Sequence, residues 1–434
     1  MSFNYRSVDA QSPDFAPTLA RLTRRGESDL ERVEPVVKEI LAAVRSQGDA
    51  AVLAYVQKLE QRTPAPLLVR DYDGANALAA LPPAVREALE LSAKRVRRYH
   101  EEQKRHLLGF SYTEDGITLE SRVLPVSRAG VYAPGGKANY PSSVLMTAIP
   151  ARVAGVEEIV VCSPPQRDTG EVAEIVLAAA HLAGVDRVFA LGGAQAIAAM
   201  AYGTQTVPQV DKIAGPGNLY VVLAKRAVYG VVGIEALPGP TETMVIADET
   251  TDPRLAAADL LAQAEHDLVA SAIMLTTSRA VASATQAEVA RQIESLERAE
   301  VAAQSIAQRG GIVIVPELAD AFALANAYAP EHLCLLLKEP WQHIGKVRNA
   351  GGIFLGERSF EVLGDYVAGP SHIMPTGGTA RYASPVNVDD FRKVISLVGL
   401  NEAALRRMGP AAARLADAEG LTGHAAAVRA RLDE

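Results

Sequence analysis

Hydrophobic positions along the chain keep three rhythms. Through residues 1–110 they recur at helical spacing. "DLERVEPVVKEILAAVRSQGDAAVLAYVQKLEQ" and "PAVREALELSAKRVRRYHEEQKRHLL" each set an apolar stripe against a charged face. His100 and His106 stand among Arg, Lys and Glu in the second stretch and read as surface residues. From "RAGVYAPGG" onward, short apolar runs alternate with helical ones: "PSSVLMTAIPARVAG", strand "EEIVVCSPP", helix "EVAEIVLAAAHLAG", strand "DRVFALGG", helix "AQAIAAMAYG". A second alternation follows, with strands "TETMVIAD", "ASAIMLTTS", "GIVIVPE", "HLCLLLKEP" and "GGIFLG". Between them lie helix "TDPRLAAADLLAQAEHD", a long polar helix to about residue 308, and "LADAFALANAYA". The last fifty or so residues return to helical spacing and read as a tail.

Alternating strands and helices predict parallel sheets covered by helices. The expected architecture is α/β, with two Rossmann-like parallel-sheet domains, N-terminal helices and a C-terminal helical tail. The boundaries fall at 1–110 for the helical segment packing on the first α/β domain, 111–238 for that domain, 239–385 for the second, and 386–434 for the tail. Ligands in such sheets bind where strands end and loops begin. The loops "APGG" (133–136), "LGGAQ" (191–195), "AGPGN" (214–218) and "LPGPTE" (237–242) mark those places. Glycine there lets backbone N–H groups approach a phosphate, though none of the four is G-x-G-x-x-G, and tight-turn glycines explain them equally well.

Composition narrows the function. The 434 residues are 49% hydrophobic, enough for two or three cores, and the net charge of −8 speaks against nucleic-acid binding. Cys162 and Cys334 sit in apolar runs and read as small buried hydrophobes. Neither an apolar leader nor a run of membrane-spanning length occurs, so a cytoplasmic protein is expected.

Polar chemistry gathers in a few places. In "LLAQAEHD", Gln263 and His266 share one helix face at spacing three, behind an Asp252 N-cap and Pro253. A two-donor grip on a metal and a solvated helix end both fit that spacing. "APEHLCLLL" places Glu331 beside His332, a natural acid/base pair if Pro330 holds both in the turn before the strand. "GDYVAGPSHIMPT" puts Asp365 and His372 in a Gly/Pro-rich loop. "AEGLTGHAAAV" offers Glu419 and, behind a Thr422 cap, His424. His181 reads as a packing or surface residue, and His343 has no setting that gives it a role. Gln263, His266, Asp365 and His424 form a candidate oxygen/nitrogen metal set suited to zinc, with manganese or cobalt as alternatives.

Beyond these readings, the chain resembles the histidinol dehydrogenase family over nearly its whole length. The stretches that carry the likeness are "VYAPGG", "YPSSVLMTAIPA", "LGGAQAIAA", "KIAGPGN", "PGPTE", "LLAQAEHD", "APEHL", "GDYVAGPSH" and "AEGLTGHAAAV". The resemblance implies zinc-dependent oxidation of L-histidinol to L-histidine with two NAD, the last step of histidine biosynthesis. It implies one Zn2+ per subunit on Gln263, His266, Asp365 and His424. Glu331 and His332 match the catalytic pair, with His332 as base and Glu331 activating water in the second half. Tyr132, Gln195 and Asn218 match the NAD contacts. The metal ligands, Thr241, His332, His372 and Glu419 match positions that meet substrate. An intertwined homodimer with shared active sites is also implied, His424 and Glu419 reaching the partner's site. Two positions depart from the family pattern: Thr241 where Ser is usual, and Ser371 where Asn is usual. A relative acting on a sulfonated diol, a zinc hydrolase using Glu331, and a non-enzymatic binding module are the rival readings. Glu419 favours an amine- or imidazole-bearing substrate over a sulfonate, and no His-Glu-x-x-His supports the hydrolase.

Overall fold

The computed structural model describes residues 5–23, 30–60, 66–69, 72–135 and 139–432. Gly136 of the "APGG" loop lies outside the described residues. The chain divides into two compact units, Met1–Glu102 with Val126–Phe391, and Gln103–Pro125 with Arg392–Glu434.

In chain order the strands are β1 (Ser7–Asp9), β2 (Phe110–Glu114), β3 (Ile117–Pro125), β4 (Arg128–Tyr132), β5 (Glu158–Ser163), β6 (Arg187–Ala190) and β7 (Lys212–Ala214). They continue with β8 (Gly233–Ile234), β9 (Glu242–Ala247), β10 (Ser271–Thr276), β11 (Gly311–Ile314), β12 (His332–Leu336), β13 (Gly352–Leu355) and β14 (Arg392–Leu400). The larger unit holds two parallel sheets, ordered β6-β5-β4-β7-β8 and β1-β11-β10-β9-β12-β13. Counted from the first strand of each run, both follow the order 3-2-1-4-5, the Rossmann arrangement. Continuous apolar runs suit strands covered on both faces, and every residue of β9, β10 and β12 is buried. The chain is α/β, with two Rossmann-like sheets.

The N-terminal segment departs from its helical expectation at its start. Strand β1 extends the second sheet, pairing in parallel with β11, and the Tyr5 ring is buried beside it. Three residues, "SVD", are too few to carry a period. The helices Leu30–Gln47 and Asp49–Tyr55 pack on the first sheet, where Val37, Ile40, Val52 and Val56 join a core with Ile197 and Ile213. The expected polar helix ending near 308 is two helices, Arg279–Gln292 and Ala299–Arg309, with extended backbone at Leu296 between them.

His100 also corrects the sequence reading, because it is buried. Leu89, Ala93, Val96 and His100 follow a 4-3-4 spacing and form one stripe of the helix Pro83–His106. Its charged neighbours lie on other faces. His100 Nδ1 lies 2.8 Å from the Val96 carbonyl.

The smaller unit is a three-stranded antiparallel sheet, β14-β3-β2, with helices Glu402–Ala418 and Thr422–Leu432. The expected helical tail, 386–434, therefore contains a nine-residue strand. In "RKVISLVGL" the β-branched residues and the register with β3 outweigh the helical rhythm that follows. Asn401 caps the first tail helix through the Ala404 N–H.

Burial lowers the His100 imidazole below its ordinary 6.5, against carbonyls of Val96 and Val386 that favour its proton. A depressed folded value means the unfolded chain binds more protons. The stability contribution is full above about 6.5 and is lost as pH falls through the folded value. In His100→Gln, the fall of Tm on acidification from neutral pH should be shallower than in the wild type. An unchanged slope by calorimetry counts against the buried neutral imidazole.

Candidate active site

The candidate residues of the second sheet gather at its amino edge, not at the carboxyl edge where loops usually bind ligands. Thr241 immediately precedes β9, and Glu331 and His332 straddle the start of β12. "LPGPTE" thus leads into a strand rather than out of one. The reason is antiparallel packing of helix on strand. The helix Pro253–Ala264 follows β9 and runs back along the sheet, so its last turn, with Gln263, returns to the level where β9 began.

Asp252 and Pro253 start that helix as the sequence indicates, the Asp252 side chain accepting from the Arg254 N–H. Before β12, Ala329 adopts a left-handed φ of 52° and Pro330 follows. Glu331 then lies in the bend, and His332 opens the strand. Glu331 Oε2 accepts from Thr241 Oγ1 at 2.8 Å and from the Glu242 N–H at 3.0 Å, and lies 3.5 Å from His332 Nδ1. His332 Nδ1 lies 3.2 Å from the Glu242 carbonyl, and Nε2 lies 3.4 Å from Asp365 Oδ1. A proton on Nδ1 serves the Glu242 carbonyl and a second on Nε2 faces Asp365, so Nε2 becomes a base only once that second proton has left.

Gln263, 2% exposed, has Oε1 2.9 Å from Thr241 Oγ1, where it competes with Glu331 for the one hydroxyl proton, and reaches Asp365 Oδ2 with Nε2 at 3.5 Å, a weak contact. Thr241 thus lies between the amide and Glu331. His372 Nδ1 lies 2.7 Å from the Asp365 carbonyl. Ser371 is buried, and its Oγ accepts from the Ile373 N–H, so its hydroxyl serves the local turn. His266 lies just past the helix end, with an exposed edge. Glu419 and His424 belong to the smaller unit, where both are exposed.

Charge and burial oppose each other here. Burial disfavours the His332 imidazolium, but Glu331, Asp365 and Glu361 outweigh it and push the ring up to about 10. Burial raises the Glu331 carboxyl, and His332 and the Thr241 bond temper that rise. Asp365 stays below the ordinary carboxylate range, because His332, His372 and His266 overcome its burial. His266 and His372 are both lowered, first by desolvation, against the pull of Asp365. Among the described residues, no three His, Cys, Asp or Glu side chains converge as a metal cage. The candidate set is of another makeup. One member is an amide, one lies in the smaller unit, and only His266 and Asp365 remain. An amide oxygen, an imidazole and a low-pKa carboxylate, without thiolate, are a donor set that fits zinc.

The first sheet presents its residues at the carboxyl edge. Tyr132 ends β4, buried, with its hydroxyl accepting from the Gly193 N–H at 3.0 Å. Gln195, in the first turn of helix Gly193–Tyr202, donates to Glu60 Oε1 at 3.3 Å, and its Oε1 has no partner among the described residues. Asn218 caps helix Leu219–Val228 through the Tyr220 and Val221 N–H groups. Strands β4 and β7 are the neighbours at which the strand order reverses, so Tyr132 and Asn218 flank the switch point.

The histidinol dehydrogenase family model matches residues 23–432. The chain belongs to the histidinol dehydrogenase family. Histidinol dehydrogenase of Deinococcus radiodurans is 52% identical over 418 residues, covering 95% of this chain and 94% of the relative. That of Thermus thermophilus is 51% identical over 406 residues, covering 94% and 96%. The crystal structure of histidinol dehydrogenase from Elizabethkingia anophelis superposes with a TM-score of 0.91 at 32% identity, covering 100% of this chain and 99% of that one.

Sequence reasoning about this family member missed Glu361. It is fully buried, accepting from Thr243 Oγ1 at 2.7 Å and facing Cys334 Sγ at 3.6 Å, one helical turn before Asp365. The i,i+4 spacing to Asp365 was the signal available. Both cysteines are buried and free, as their apolar runs indicate.

Burial pushes Glu361 up to about 8, so it holds its proton at neutral pH. A raised folded value gives stability that is full below the ordinary 4.5 and is lost as pH rises through about 8. Glu361→Gln mimics the neutral acid and should gain on the wild type across that window. Glu361→Ala opens a void, orphans Thr243 and should cost about 1–3 kcal/mol at neutral pH. Denaturant melts of both variants check this, and equal losses would contradict a protonated Glu361.

Proposed function

We propose that this chain oxidises L-histidinol to L-histidine, using zinc and two NAD, as the last step of histidine biosynthesis. The observation that carries the reading is the convergence of Glu331, His332, Asp365 and Gln263 at one sheet edge in a chain of this family. Gln263, His266 and Asp365 would hold the metal, with His424 of the partner subunit completing the set. Bound there, zinc would supply Lewis acidity and a positive charge that offsets Asp365. Tyr132 and Asn218, at the switch point of the first sheet, and Gln195, on the helix after β6, serve the NAD side.

In the first half-reaction, His332 Nε2, in the form that has lost its proton facing Asp365, takes the hydroxyl proton while the carbinol C–H bond breaks and its electron pair leaves for NAD. The aldehyde stays bound. In the second, Glu331 accepts a proton from water as the water oxygen adds to the aldehyde carbon, and His332 returns its proton to the carbonyl oxygen, so that a hydrate forms. His332, neutral again, deprotonates the hydrate as the second hydride leaves for NAD, giving the carboxylic acid, and both residues then release their protons to solvent. Each oxidation moves two electrons, four in all. Thr241, bonded to Glu331 and Gln263, keeps the hydroxyl that serine supplies elsewhere in the family. His372 and Glu419 would contact the substrate's polar groups.

The reading includes a cytoplasmic homodimer. Supporting the cytoplasm are two free buried cysteines and, among the described residues, the lack of a helix long and apolar enough to cross a membrane. Supporting the dimer is the surface of the smaller unit, where Phe110 is 62% exposed, Val394 63%, Val398 68% and Leu415 66%. Such apolar exposure within one small unit is typical of a surface another chain covers.

His332→Asn should slow both oxidations by about 10²–10⁴-fold. Glu331→Gln should slow mainly aldehyde oxidation, because water activation belongs to that half alone. Single-turnover rates from alcohol and from aldehyde separate the two, and equal slowing in Glu331→Gln would refute the division of labour.

Shared sites predict complementation. His266→Ala and His424→Ala, each inactive alone, give mixed dimers on co-expression in which one site carries both defects and the other none. Random pairing makes half the dimers mixed, so about a quarter of wild-type activity returns. Verified mixed dimers without activity would place each site within one chain.

A further inference from the structure

The first sheet contains a buried ion pair that neither half-reaction uses. Lys225, on helix Leu219–Val228, and Glu235, just past β8, meet at 2.5 Å with their side chains 1% and 2% exposed. Both partners also bind one residue of the "AGPGN" loop, Gly215. The Gly215 N–H donates to Glu235 Oε1 at 2.7 Å, and Lys225 Nζ donates to the Gly215 carbonyl at 3.1 Å. Gly215 sits at a φ of 127°, and a Cβ there would come within 2.0 Å of the Tyr132 carbonyl oxygen. The loop therefore runs hard against the end of β4. Its far end is Asn218, the cap of the helix that carries Lys225.

We infer that the Lys225–Glu235 pair is a positioning device for the dinucleotide. It clamps Gly215 so that Tyr132, the loop backbone and the capped helix start keep a fixed spacing at the switch point. The role rests on the NAD reading above. Two observations favour it over a simple staple. Burying two charges is costly, and apolar side chains of similar size would usually hold a turn as well. Moreover, the pair spends its hydrogen bonds on both polar groups of a single glycine, in the loop between two candidate cofactor contacts, with Glu235 Oε2 left without a partner among the described residues. A second pair, Lys212 and Asp390 at 3.8 Å, lies in the same charge neighbourhood and acts on Lys225 with opposite signs. Neither Lys225 nor Glu235 reaches the Glu331–His332 cluster through a hydrogen bond or ion pair described for them, so the second sheet's chemistry should be insensitive to the clamp.

The test is the double variant Lys225→Met/Glu235→Leu, which removes both charges without leaving one unpaired. Its NAD dissociation constant, by titration calorimetry on the full chain, should rise about tenfold, which is a binding loss of about 1.4 kcal/mol. The KM for NAD should rise in step, while the KM for L-histidinol and the Tm should stay near wild type. A folded double variant that binds NAD as tightly as the wild type overturns the clamp alone. Absence of NAD binding by the wild type overturns the cofactor reading and the clamp with it. Should the double variant fail to fold, Glu235→Gln, which keeps the size and one acceptor oxygen, decides the same question. A raised KM for NAD with an unchanged KM for L-histidinol supports the clamp, whereas both rising equally, or neither, overturns it.

Discussion

Strands β9 and β12 are buried on both faces, so an ionised group in their neighbourhood must sit at a strand end or give up its charge. The second sheet meets this constraint at its amino edge. There Thr241, the Glu242 peptide, Glu331 and His332 hold one another by hydrogen bonds and ion pairing, with Asp365 brought in from the short helix Glu361–Tyr366 that follows β13. Glu361 is the carboxyl that lies deeper, and it does so by keeping its proton. The same short helix carries Glu361 inside and Asp365 at the edge, so one buried neutral acid anchors the carboxylate that faces His332.

Two sheets of like strand order present opposite edges. The first offers its carboxyl ends, with glycine loops and a capped helix start, which suits an anionic dinucleotide. The second offers its amino ends, where acids and imidazoles meet. In the proposed reading, a dinucleotide fixed at one sheet and a polar substrate held at the other make separate demands, which separate loops would answer. The glycine conformation is needed at Gly215 because β4 approaches there, not because glycine-rich loops are flexible in general.

Much of the site was legible in the sequence. Asp252, Pro253 and the apolar stripe located the helix that ends in Gln263, and the "APEHL" adjacency pointed to Glu331 and His332, although the expected turn holds only Glu331 and His332 already opens the strand. The parallel sheets followed from the alternation of runs. What escaped notice depends on tertiary contact. His100 lies on an apolar stripe that its charged neighbours disguise, and β14 begins a tail otherwise helical in rhythm. The amino-edge position of the second site needed the helix to fold back along the sheet. Glu361 and Lys225 look like ordinary surface charges in sequence, and only burial separates them from the rest. The family likeness in the motifs covered what spacing left open, namely which of several polar clusters belong to one site.

The central claim is that the cluster around Asp365 oxidises L-histidinol with the help of a metal. Its most direct test is the rate of NADH formation from L-histidinol by purified protein whose metal content has been measured, before chelation, after it, and after return of one equivalent of zinc. Activity should be lost with the metal and recovered on reconstitution. Full activity in protein shown by elemental analysis to be free of metal would contradict the claim.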